Sequence, residues 1–170
     1  MLGKWFVAAC LGVIALNGLM SEASAECFSA SGKITNNGQP TGVTLGVVAL
    51  KLGDNRFKCG IMGLPQAFGP YNFKHTIVCD DKAAHDAAQA QVTFNTFFAA
   101  PLSNVAQCPA GSPGGAASFS FMETSIPDPS TARGAFSGIS ENGSTLTISG
   151  RYNCNGGIVM DFTGQLCFAD

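Results

Sequence analysis

From Gly143 to Phe168 the chain alternates apolar and polar residues almost without a break: GSTLTISGRYNCNGGIVMDFTGQLCF. Successive side chains of a strand point to opposite faces, so this pattern demands a sheet with one dry and one wet face. A one-residue slip between neighbours would turn the whole dry set outward, so the pattern also selects a register. At CNGGI, a three-residue loop of Asn155, Gly156 and Gly157 pairs Cys154 with Ile158, Tyr152 with Met160 and Gly150 with Phe162. Leu146, Ile148, Tyr152, Cys154, Ile158, Met160, Phe162, Leu166 and Phe168 then share one face. Thr145, Thr147, Ser149, Arg151, Asn153, Val159, Asp161 and Thr163 share the other, with Asp161 opposite Arg151 as a surface ion pair. Upstream, Asn142-Gly143 tolerates positive φ at both central positions of a type I′ turn, which predicts a hairpin setting Ile139 against Leu146.

The same vocabulary recurs along the chain. CFSASGKIT, VTLGVVALKL, DNRFKCGIM, NFKHTIVCD, QVTFNTFFAA and ASFSFMET read as strands, the second and third joined near Gly53, Asp54 and Asn55. NNGQPTG reads as a turn, and CPAGSPGGAAS and SIPDPSTARGA as loops by their Pro, Gly and Ser content. DDKAAHDAAQAQ is the exception. Asp80 or Asp81 is a fitting N-cap for one short peripheral helix over residues 81–90, whose alanines bury little surface. The fold class is therefore all-β: an antiparallel meander of roughly eight or nine strands closing into a small barrel or a two-sheet sandwich. Consecutive hairpins favour the barrel.

Residues 1–25 read as a secretory signal peptide: Lys4, an apolar run from Trp5 to Leu19, then Ala23-Ser24-Ala25 before Glu26. The apolar run is short of the ~20 residues of a bilayer span. A lipid-attachment reading of Val7 to Cys10 leaves too few residues ahead of the cysteine for a normal apolar core. The expected product is a single β-rich domain, residues 26–170, that is exported to the periplasm, the cell surface or the medium. Cys27, Cys59, Cys79, Cys108, Cys154 and Cys167 remain, an even number that implies a disulfide framework. Spacing alone does not fix the pairing. The preferred set joins the ends through Cys27–Cys167, closes a local loop through Cys59–Cys79, and leaves Cys108–Cys154.

Charge excludes some partners. Only 12% of residues are charged and the net charge is −2. No basic stripe offers an electrostatic footprint for nucleic acid. A surface of Ser, Thr, Asn, Gln and Gly repels its neighbours weakly, which suits adhesion or assembly with a protein or cell-surface partner.

Candidate chemistry is sparse. No Gly-x-Ser-x-Gly elbow, Cys-x-x-Cys pair or metal motif of three ligands appears. His75, Asp80, Asp81, His85 and Asp86 form the nearest approach to a cluster, with Asp81 and His85 one helical turn apart. They supply two ligands on one face, beside an opposing Lys82, so no metal or cofactor is expected and the acidic residues read as a solvated helix start. Cys79 reads as a disulfide partner rather than a catalytic thiol. Glu123 follows Phe119 and Phe121 on one strand face. It reads as a strand-end residue leaving the core, although burial there would raise its pKa. Phe97 and Phe98 point to opposite faces, both packed in a core or one exposed as a partner anchor.

The leading expectation is a non-enzymatic exported domain acting by binding or as a structural component. A secreted inhibitor or immunity-type binder, presenting CPAGSPGGA or SIPDPSTARG, is the alternative. A hydrolase or metal-dependent enzyme using His75, Asp81, His85 or Glu123 is the third. Convergence of those side chains in one pocket would favour the enzyme, a protruding rigid loop the inhibitor, and a flat apolar patch assembly.

Overall fold

The computed structural model describes residues 25–69, 72–80 and 89–169. The segment read as a signal peptide and residues 81–88 of the expected helix lie outside them. Nine strands follow in order: β1 (Glu26–Gly38), β2 (Thr44–Leu52), β3 (Asn55–Pro65), β4 (Phe73–Asp80), β5 (Gln89–Phe98), β6 (Ser103–Gln107), β7 (Ala117–Arg133), β8 (Ile139–Tyr152) and β9 (Gly157–Phe168). Every pairing is antiparallel. β1 pairs with both β2 and β9, and β5 pairs with β7, so eight strands close a barrel and β6 lies outside it on β7. Closure removes the exposed edges that an open sheet of this size would carry.

One end of the barrel is shut. There a 3₁₀ turn, Gly134–Phe136, drives the Phe136 ring inward until it is fully buried. Phe57 packs on it at 5.8 Å between ring centroids, and Phe28 meets Phe168 edge-on at 5.9 Å. Two disulfides, Cys27–Cys167 and Cys59–Cys79, staple directly opposed residues of neighbouring strands near this end. The third, Cys108–Cys154, ties the segment after β6 to the β8–β9 turn at the other end. These are the three pairs preferred from the sequence. The core between is apolar: Ile34, Val48, Ile61, Ile77, Val92, Ile148 and Phe162 all point inward.

Several local readings are corrected. Asn142-Gly143 makes no hairpin. β8 runs through it, and Glu141 to Ser144 form a bulge between the pairs Ser140↔Cys167 and Thr145↔Gln165, with Ser144 buried. Gly143 supplies the positive φ (80°) at the bulge rather than in a turn, and the Cys167 N–H donates to Ser144 Oγ (2.8 Å) to anchor it. The β8–β9 register also differs. Tyr152 pairs with Ile158, Gly150 with Met160 and Ile148 with Phe162, two residues from the expected pairing. A slip of two preserves the faces, so Leu146, Ile148, Ile158, Met160, Phe162 and Leu166 are buried as expected. It moves Asp161 away from Arg151, opposite Ser149, and Asp161 instead pairs with Lys33 at 3.6 Å on the surface.

SIPDPSTARGA is strand, not loop, as far as Arg133. Barrel closure needs this half of β7 against β5, and a register shift between Gln91 and Thr93 accommodates it. Pro127 is fully buried there, and the Thr93 N–H donates to Thr131 Oγ1 (2.8 Å). Gln89 and Ala90, expected at the helix end, belong to β5 opposite Asp80 and Cys79. β6 carries no alternation because all five of its residues are exposed. No helix among the described residues is long and apolar enough to cross a membrane.

Candidate ligand-binding site

The other end of the barrel is open. β1, β3, β5 and β8 end there and β2, β4, β7 and β9 begin there, and between them lies a cavity of about 240 Å³. Its wall is aromatic: Phe73 from β4, Phe98 from β5, Phe119 and Phe121 from β7, and Tyr152 from β8. The rings support one another. Phe119 stacks on Tyr152 (5.3 Å, 13°) and meets Phe121 edge-on at 6.3 Å, and Phe98 meets Phe121 edge-on at 6.5 Å. Phe98 remains 42% exposed at the rim, while Phe97, on the opposite face of β5, is half-buried.

His75 and Met160 form the floor, since both also line a smaller apolar void of about 40 Å³ beneath. The imidazole fits because β3 offers Gly63 behind it. A Cβ at Gly63 would lie 2.6 Å from Cδ2 and 2.8 Å from Nε2 of His75, and would clash with Thr44 Oγ1. Phe73 stacks on the imidazole (5.4 Å, 11°). Thr96 Oγ1 lies 3.0 Å from His75 Nδ1 and 2.6 Å from Ser125 Oγ, so a short polar chain crosses from β4 through β5 to β7. Burial pushes the His75 pKa down to about 4, which leaves a neutral ring at physiological pH.

Two further polar side chains line the cavity. Asn36, 1% exposed, spans the bare Gly46 of β2 and donates through Nδ2 to Thr44 Oγ1 over a long 3.5 Å, while its Oδ1 has no partner. Glu123, 4% exposed, stands between Phe98 of β5 and Ile148 of β8 and carries an unpartnered Oε2. Burial raises its pKa to about 7. The reading of Glu123 as a strand-end residue leaving the core is therefore corrected. β7 continues ten residues beyond it to Arg133, and closure onto β5 carries it inside.

Of the four residues named for an enzyme, His75 and Glu123 line this cavity, and Asp81 and His85 lie outside the described residues. Asp80 is exposed at the far end of β4, and Cys79 is held in its disulfide. Among the described residues no three His, Cys, Asp or Glu gather as metal ligands. Asn36 escapes the sequence reading because NNGQPTG reads as a turn, whereas β1 extends to Gly38; Thr44 lies in the expected strand VTLGVVALKL, where nothing marks it as a site residue. The signal was present: Asn36 continues the inward set Ala30, Gly32 and Ile34 at a spacing of two. The loop CPAGSPGGA does not protrude freely. Beside Cys108–Cys154, the Gly114 N–H donates to the Cys154 carbonyl (2.8 Å). On the outer wall Leu45, Val47 and Met62 form an exposed apolar patch across β2 and β3.

No protein family, curated protein or solved structure matches this chain.

Proposed function

We propose that the protein is exported and acts by binding a small organic molecule in the open end of its barrel. One observation carries this reading: Asn36 Oδ1 and Glu123 Oε2 are buried, unpartnered and set in the wall of an aromatic cavity. A buried polar atom left without a hydrogen bond costs about 1–3 kcal/mol, and a ligand that supplies donors recovers it. Eight-stranded barrels hold one small ligand where side chains do not fill the interior, and apolar pockets with a few convergent polar groups are the common form of such sites. Three disulfides suit an oxidising compartment, which supports export.

The convergence of His75 and Glu123 favours a second reading, an enzyme that moves a proton. A carboxyl titrating near 7 suits general acid–base work. Against nucleophilic catalysis, the one hydroxyl paired with His75, that of Thr96, is fully buried, tied to Ser125 Oγ, and does not line the cavity.

Ligand-observed NMR with a set of single-ring fragments tests the proposal. Several fragments should bind and compete for one site, and Asn36→Leu should weaken them. Absence of any binder, or binding indifferent to Asn36→Leu, rejects the site. A bound compound recovered chemically altered after incubation moves the assignment to the enzyme.

A further inference from the structure

We propose that the ligand is a small aromatic cation of the amine type, whose N–H groups are accepted by Glu123 and Asn36 while its ring lies among Phe119, Phe121 and Tyr152. This rests on the reading of the cavity as a ligand site and specifies its chemistry.

Four observations converge. The buried polar atoms of the cavity left without a partner are Asn36 Oδ1, an acceptor, and Glu123 Oε2, which accepts once the carboxyl gives up its proton, so the complementary molecule brings donors. No lysine or arginine lines the cavity. The basic side chains nearest in sequence, Lys33, Lys74 and Arg151, are all exposed. A carboxylate ligand would enter without a counter-charge, which is strongly unfavourable in a desolvated site. Five aromatic rings line the same cavity as these two atoms, and an ammonium over a ring face gains about 0.5–2 kcal/mol from the ring quadrupole. Finally, about 240 Å³ lies below the roughly 300–1,000 Å³ of sites for drug-sized ligands, which limits the molecule to one ring and a short chain.

The charge state follows from the same geometry. Glu123 has hydrocarbon neighbours across both strands, Phe98 and Ile148. The other titratable groups lining the cavity are His75 on β4 and Tyr152 on β8, neither of which supplies a positive charge at neutral pH. A bound cation supplies it. The ammonium then holds Glu123 as the carboxylate, and the pair replaces a protonated acid by a charge-assisted hydrogen bond. No covalent bond forms or breaks. Binding releases the Glu123 proton.

The test uses three probes of nearly one shape on the disulfide-intact protein, by titration calorimetry: 2-phenylethylamine (cation), 2-phenylethanol (neutral) and 3-phenylpropanoate (anion). The amine should bind at least about tenfold more tightly than the alcohol, and the anion not at all. Glu123→Gln should remove that preference, bringing the amine down to the affinity of the alcohol or below, and an unchanged far-ultraviolet circular dichroism spectrum shows that the variant is folded. The affinity for the amine should fall as pH is lowered from about 8 to about 6. Equal or tighter binding of the alcohol or the anion overturns the cationic assignment and leaves the ligand site standing. So does binding of other neutral fragments when none of the three probes binds. If neither the probes nor a broad neutral fragment set binds, the ligand site itself is rejected, and this inference with it.

Discussion

The His75 imidazole occupies the space that a side chain at Gly63 would need, with Cδ2 2.6 Å from where its Cβ would stand. The two residues are direct cross-strand partners on β3 and β4, and both face the barrel interior. Glycine here is a matter of room. Gly63→Ala should cost about 1–3 kcal/mol by overpacking, because the ring is held from behind by Phe73 and by Thr96. Chemical denaturation should show the loss, and His75 ring resonances should shift in NMR spectra. Wild-type stability in this variant would mean that the ring has another place to go.

Phe136 closes the other end. Its ring is fully buried beneath Phe57 and is delivered by a single 3₁₀ turn. Phe136→Ala should destabilise the protein by about 3–5 kcal/mol through lost transfer energy and the cavity left behind. The effect should appear in the denaturation midpoint without a matching loss of fragment affinity per folded molecule, since the ligand site lies at the opposite end.

The two buried titratable groups act oppositely on stability. Glu123 titrates at about 7 instead of its ordinary 4.5, so the folded form holds a proton that the unfolded chain releases, and stability falls as pH rises through that interval. His75 titrates at about 4 instead of 6.5, so the folded ring stays neutral where the unfolded one is charged, and stability falls as pH drops through its interval. Between 4.5 and 6.5 each state binds one proton, and the wild-type curve should be nearly flat. Glu123→Gln removes one side of that balance. Its stability should climb with pH across the same interval and exceed the wild type near pH 8 by about 3 kcal/mol. Urea midpoints at several pH values measure both curves, and a sloping wild-type curve paired with a flat variant curve would contradict the assignment.

The disulfides should differ in worth. Cys27–Cys167 closes a loop of 140 residues and Cys59–Cys79 one of 20. Chain-entropy arguments give about 5 and about 3 kcal/mol respectively. Replacing the first pair by serine should therefore lower the denaturation midpoint more than replacing the second. The reverse order would show that packing of Cys59 and Cys79 within the closed end outweighs loop entropy.

Much of this was legible in the chain. The inward sets of β4, β8 and β9 follow from alternation, and the β2–β3 turn at Gly53-Asp54 from its own residues. Glu123 stood out as an acid on an aromatic face. Its burial did not, because the Pro-rich segment after it reads as loop, and only pairing with β5 makes it strand. Asn36 was hidden by turn-forming neighbours that in fact extend β1.

Alternation along the chain sets which side of each alternating strand is dry, because side-chain direction has a period of two and is local. For the same reason it leaves undetermined a slip of two residues, which changes no face and yet moves Tyr152 opposite Ile158 and Asp161 opposite Ser149. Tertiary structure decided the register, the joining of β5 to β7 and the meeting of Asn36, His75 and Glu123 around one cavity. Those contacts join residues far apart in the chain, and only closure of the barrel brings them within reach.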